Sequence, residues 1–168
     1  MSGIIVYYST YGSTQEYAEA LGEKMGWTVL SYRKVKAANI QSVDIVVLAS
    51  NVRIEKLGIS KWAKRYKKHL TNKKVVVLAV GANPFENQAY YLETTMKSIY
   101  FLNLKKENIF GLGGRIKTSD LHGMDAFIFK VLGKMIKDDK IKKDFFNDVD
   151  HFDIDHLNGI INYLSALK

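Results

Sequence analysis

Five short apolar blocks recur along the chain, and each is followed by residues of helical periodicity. Strand character is predicted over 3–8, 27–32, 44–49, 73–80 and 108–114. Helices are predicted over 14–25, 60–70, 87–102, 119–137 and 155–167. Ile45-Val46-Val47-Leu48-Ala49 and Val75-Val76-Val77-Leu78-Ala79-Val80 do not alternate with polar residues, which suits strands covered on both faces. The first helix would bury Tyr17, Ala20, Leu21 and Met25 and stop at Gly26. Such alternation predicts a single α/β domain with a doubly wound parallel sheet and helices on both faces. The helix over 119–137 carries an apolar stripe, Leu121, Met124, Phe127, Ile128, Val131, Leu132, Met135 and Ile136, expected to be core or a flap. Phe129 falls off that stripe and is expected to be exposed beside Lys130 and Lys134.

The joint between the first strand and the first helix holds the candidate chemistry. Ser9-Thr10-Tyr11-Gly12-Ser13-Thr14 is a hydroxyl-rich loop around one glycine, and the helix begins at once. A helix N-terminus offers unpaired N–H groups and the positive end of its dipole, so it suits phosphate. No lysine stands where a P-loop needs one, and no G-x-G-x-x-G follows the strand. A monoester phosphate held by amides and hydroxyls fits better than a triphosphate. The alternative is a plain strand–turn–helix with Ser13 and Glu16 as a capping box.

In a parallel sheet the loops after strands one, three and four open on one edge, where ligands of such folds sit. The second of these loops is 50–58, the third 81–87.

Composition narrows the chemistry. The chain has 168 residues and no cysteine, which excludes disulfides, thiolate catalysis and Cys-ligated clusters. There is no basic n-region with an apolar h-region and no apolar run near 18 residues, so a cytoplasmic protein is expected. The formal net charge of +8 favours anionic partners, among them an anionic membrane surface that would draw the protein to its inner face. No nucleic-acid motif accompanies the lysines, and no nucleic-acid partner is expected. The four histidines do not form ligand spacing, so no metal site is expected; His122 reads as a surface residue.

The first loop resembles the FMN loop of flavodoxins, which Ser9, Thr10, Gly12, Ser13 and Thr14 match in order. The resemblance implies a five-stranded sheet of order 2-1-3-4-5, with an extra helix after strand five. It also implies FMN as cofactor and redox chemistry carried by the flavin, with no catalytic side chain. Within that family, Ala49-Ser50-Asn51-Val52-Arg53, Gly113-Gly114-Arg115-Ile116 and the helix from Asp125 resemble a flavodoxin subfamily that includes quinone-coupled protoporphyrinogen dehydrogenases. This likeness implies oxidation of a porphyrinogen-type substrate with a quinone as acceptor; a small electron carrier is the rival. The cofactor residues it implies are Ser9, Thr10, Tyr11, Gly12, Ser13 and Thr14 in the first loop. Ser50, Asn51, Val52 and Arg53 follow in the second, and Gly81, Ala82, Asn83 and Phe85 in the third. Arg53 would face the pyrimidine end of the ring or else a salt bridge with Glu55, and Phe85 would stack on the ring or pack beneath its loop.

Overall fold

The computed structural model describes residues 1–135 and 147–167. Its main sheet is built from β1 (Gly3–Tyr8), β2 (Thr28–Ser31), β3 (Ile45–Arg53), β5 (Lys74–Gly81) and β6 (Ile109–Gly113). These five are parallel in the order β2-β1-β3-β5-β6. Counted along the path, that is the 2-1-3-4-5 order of flavodoxins. A two-residue strand, β4 (Lys56–Leu57), folds back antiparallel onto the end of β3.

Helices cover both faces. α1 (Ser13–Met25) and the C-terminal α7 (Asn158–Ala166) pack on one side, where Ile5, Val47, Val76 and Leu78 meet Tyr17, Leu21 and Ile160. α2 (Ala37–Gln41), α3 (Ser60–Arg65), α4 (Lys67–Leu70) and α5 (Gln88–Ser98) cover the other, over Val6, Val46, Leu48 and Val77. Both faces of β3 and β5 are therefore dry, which is why their sequences run apolar without alternation. Gly26 ends α1 in the left-handed conformation at φ 68°, as expected.

Several boundaries differ from expectation. β3 continues through Ser50-Asn51-Val52-Arg53 instead of ending at Ala49, because β4 pairs with Val52 and Arg53. Their hairpin turns on Ile54 and Glu55, at φ 47° and 54°. The helix expected over 60–70 breaks at Tyr66 into α3 and α4. The helix expected over 87–102 ends at Ser98, and a 3-10 turn over Tyr100–Leu102 follows. The block over 108–114 divides into β6 and a short β7 (Arg115–Ile116), which pairs antiparallel with β8 (Val149–Asp150).

The inserted segment leaves the sheet through β7 and returns through β8. Its stems are also joined by the exposed Asp148 carboxylate, which accepts the Thr118 backbone N–H at 2.8 Å and its hydroxyl at 3.0 Å. α6 (Gly123–Met135) starts four residues later than expected, after a 3-10 turn over Thr118–Asp120. Three residues of its apolar stripe, expected to be core or a flap, are exposed: Phe127 at 63%, Val131 at 41% and Met135 at 72%. The side chains of Met124, Ile128 and Leu132, and residues Ile136 and Lys137, lie outside the described part of the structure. No described helix is long and apolar enough to cross a membrane.

Candidate functional site

The carboxyl ends of β1, β3 and β5 surround one open cavity of about 540 Å³ at a point where strand order reverses. Ser9, Tyr11, Ser13 and Thr14 line it from the first loop; Asn51, Val52 and Arg53 from the end of β3; Gly81, Ala82 and Asn83 from the third loop. The structure thus brings ten of the fourteen expected positions to one place.

The loop between β1 and α1 is shaped by hydrogen bonds between its own residues. Gly12 takes φ 97°, open to glycine and strained for other residues, and its carbonyl accepts the N–H groups of Gln15 and Glu16. That commits α1 to begin at Ser13. As the first two helical residues, Ser13 and Thr14 have backbone N–H groups without intrahelical acceptors. Both residues are nearly fully buried.

The alternative, a capping box of Ser13 and Glu16, does not form: Gly12 is the N-cap and no side chain caps the helix. The Ser13 hydroxyl instead accepts the Arg115 backbone N–H at 3.1 Å, and the Glu16 carboxylate takes the Arg115 guanidinium in an ion pair. Arg115 also lies over the Phe152 ring, 4.5 Å from its centre. A long-range partner wins because β7 returns the chain to the helix start.

The loop hydroxyls are used economically. Ser9 Oγ accepts the Gly12 N–H at 3.2 Å, and Thr10 Oγ1 accepts Asn51 Nδ2–H at 2.9 Å. A hydroxyl that accepts in this way keeps its own proton to donate. The loop therefore offers O–H donors and helix N–H groups, the chemistry that a phosphate dianion needs.

Four expected positions stand off the cavity wall. Thr10 is exposed and braces Asn51. Gly12 supplies the turn. Ser50 is fully buried; its hydroxyl accepts the Ile59 N–H at 3.1 Å and donates to the Asn51 carbonyl at 3.0 Å. Phe85 stacks on His156 at 3.9 Å, against the core beneath its loop.

Asn51 Oδ1 is buried with no hydrogen-bond partner in the described structure. It faces Gly58, where any Cβ would come within 2.4 Å of it, and the Asn51 residue also lines the cavity. An orphaned acceptor beside an apolar cavity fits the polar edge of a bound heterocycle.

The remaining wall was not expected from sequence. Ile54 and Tyr90 close one side; Gly114, Arg115 and Ile116 follow β6; Leu121 and Phe129 come from the inserted segment. Phe129 therefore faces the cavity rather than solvent, and the insertion shares a site with the three loops. The glycine pair at 113–114 was the available signal. A Cβ on Gly114 would meet Val80 Cγ1 at 3.1 Å and the Gly81 carbonyl at 3.2 Å. His122 is exposed and meets Tyr11 edge to face at 5.8 Å.

Burial sets the ionisation of the tyrosines around the sheet ends. Tyr17 is pushed up to about 12 by desolvation. Tyr90, on the cavity wall, and Tyr91 beneath it are also raised by burial. All three stay neutral at physiological pH, so they act here as hydrogen-bonding and packing groups.

This fold and site define a parallel α/β protein with an open cavity at its switch point, lined by a hydroxyl-rich loop and a helix N-terminus. The flavodoxin-domain family profile matches residues 4–143, and the chain belongs to that family. Among solved structures it is similar to oxidised flavodoxin 1 from Bacillus cereus, at 15% identity and a TM-score of 0.51, over 86% of this chain and 97% of that one. It is also similar to the Trp repressor binding protein from Bacillus subtilis, at 15% identity and a TM-score of 0.50, over 67% and 85%. These likenesses bear on the fold. No curated protein sequence matches the chain significantly. FMN is the cofactor the family implies, and the residues present fit it: hydroxyl and N–H donors without a lysine, an orphaned amide oxygen, and apolar walls.

Proposed function

We propose that the protein binds FMN at this cavity and is an FMN-dependent oxidoreductase acting on a flat, largely apolar substrate of porphyrinogen type, with a quinone as acceptor. The observation that carries this reading is the shared wall: Leu121 and Phe129 of the insertion face the same cavity as the three flavin-type loops. An electron carrier needs an accessible ring edge, whereas a substrate needs a pocket over the ring. FMN supplies the hydride and electron chemistry when bound.

The chain's own residues bind and orient it. The α1 N-terminus with Ser9, Ser13 and Thr14 holds the phosphate. Asn51 and the backbone of 81–83 hold the polar ring edge. Ile116, Leu121 and Phe129 cover the substrate side and exclude water. Arg53 places a positive charge at the rim that attracts propionate groups, while the Arg115 charge is matched by Glu16.

Purified protein reconstituted with FMN should show a protein-bound flavin spectrum and oxidise protoporphyrinogen with a quinone present. A flavin-loaded protein inactive with porphyrinogens, quinones and other flat redox substrates would overturn the enzyme reading and leave the flavin reading standing.

A further inference from the structure

We infer that the face formed by α3, α4 and the loop before α2 is a docking surface for an acidic redox protein. Two stretches far apart in sequence meet there. Residues 24–43 contain no aspartate or glutamate, and neither do residues 56–85. The fold places them side by side: the Tyr66 hydroxyl donates to the Val35 carbonyl at 3.0 Å, and Lys73 Nζ donates to the Gln41 and Val43 carbonyls at 3.0 and 2.6 Å.

The exposed cations of the two stretches then share one face. Arg33, Lys34 and Lys36 contribute from the first, and five exposed cations between Lys61 and Lys68 from the second. Of the nearby acids, Asp44 sits beside Lys73 with its carboxylate tied to the Ser2 N–H at 3.0 Å, and Glu55 sits at the β3–β4 hairpin. The carboxylates of α1 lie across the sheet. A one-sided field of this kind steers an oppositely charged macromolecule and orients it.

The face reaches the candidate cavity. Arg33 Nε donates to the Tyr32 hydroxyl at 3.0 Å, and the Tyr32 and Tyr8 rings lie 4.7 Å apart. Tyr8 and Asn51 both border Gly58, and Asn51 lines the cavity. A protein seated on the cations thus has its edge beside the site.

The aromatics of this face are already paired, Trp62 with Tyr66 at 4.5 Å and Tyr32 with Tyr8 at 4.7 Å, and Trp62 is buried. They offer no platform for nucleobases, so the cations favour a protein carboxylate surface over nucleic acid. The inference rests on the flavin reading for its redox sense and gives the reduced flavin a protein acceptor beside the quinone. Reduced FMN would give two electrons, one to each of two oxidised partner centres, and release its protons to water.

The test uses the soluble domain of cytochrome b5 as an acidic one-electron acceptor and cytochrome c as a basic one. With FMN-loaded, photoreduced protein, the rate to cytochrome b5 should fall about tenfold or more as salt rises from about 20 to 200 mM, while the rate to cytochrome c should not fall. Lys61→Glu with Lys68→Glu should remove most of the cytochrome b5 rate. Lys105→Glu with Lys106→Glu makes the same change in net charge outside the two acid-free stretches and should have a far smaller effect. Equal losses in the two double variants, or none in the first, would overturn the surface. So would salt-sensitive binding through Lys61 and Lys68 to duplex DNA or phosphatidylglycerol vesicles in preference to cytochrome b5. Calorimetric titration of cytochrome b5 into the apoprotein reads docking without flavin. A protein that docks but takes up no FMN therefore fails the flavin reading alone.

Discussion

The Ser13 hydroxyl accepts the backbone N–H of Arg115 at 3.1 Å across 102 positions of sequence. One contact therefore ties the start of α1 to the point where the inserted segment leaves the sheet. The phosphate end of the site and its outer wall are set by the same residue. Replacing Ser13 and Thr14 together by alanine removes the Thr14 hydroxyl and the Ser13 hydroxyl, which here donates to the Arg115 carbonyl at 3.4 Å, and leaves the Arg115 N–H without its acceptor. FMN affinity should weaken by roughly 1.5–3 kcal/mol for each charge-assisted bond lost. Quenching of FMN fluorescence during titration measures this directly. A double variant that keeps its full flavin through dialysis would show that the loop is not the phosphate site.

Arg53 stands at the last position of β3 on the cavity wall. A cation there favours a reduced, anionic ring by Coulomb attraction, on the order of 1–4 kcal/mol at about 4 Å depending on solvent exposure. Arg53→Glu should therefore lower the midpoint potential of the bound flavin, most clearly at low ionic strength. Redox titration of both proteins at low and high salt reads the effect. An unchanged potential would remove Arg53 from the flavin's surroundings.

Much of this was legible in the chain, for reasons of range. The alternation of strands and helices and the three loops on one edge follow from local signals, apolar runs and a hydroxyl-rich turn around one glycine, whereas the strand order and the ten cavity residues came with the resemblance of that turn to the flavodoxin loop. What was missed depends on contacts between distant residues. Ser50 reads as a loop hydroxyl until β4 folds back and turns it into an internal acceptor for Ile59. Phe85 reads as a stacking ring until His156 arrives from the C-terminal segment. Phe129 was assigned to solvent because periodicity on α6 took its apolar stripe as the buried face. The helix instead exposes Phe127 and Met135 and turns Phe129 to the cavity. Periodicity identifies a face but not what the face meets.

Tyr17 supplies a test of stability. Its buried hydroxyl donates to the Gly113 carbonyl at 2.8 Å and accepts the Asp153 N–H at 2.9 Å, pinning the returning chain to the end of β6. Tyr17→Phe leaves both groups unsatisfied and should cost about 1–3 kcal/mol in denaturant unfolding. The pH dependence has a definite sign. The folded protein holds this phenol protonated up to about 12, against an ordinary value of 10.0. Its contribution is complete below the ordinary value and is lost as pH rises through that window. The wild type should lose stability there more steeply than Tyr17→Phe. Parallel curves would mean that the phenol does not govern alkaline unfolding.

Phe129 separates substrate handling from flavin retention. It reaches the cavity from α6, whereas the expected phosphate cradle comes from the loop before α1. Shortening it to alanine removes an apolar covering group and admits water over the ring, while the cradle of Ser9, Ser13 and Thr14 is untouched. Phe129→Ala should keep FMN within about threefold of the wild-type Kd, a change under 1 kcal/mol. Its kcat/KM for a flat apolar substrate should fall by about tenfold or more, mainly through KM, since the lost contact is one of uniform binding. Phe129→Leu, which restores apolar bulk, should recover most of that loss. FMN titration and steady-state kinetics on the three proteins decide the matter. If Phe129→Ala releases FMN as readily as the Ser13 and Thr14 replacements do, α6 belongs to the cofactor site rather than to the substrate pocket.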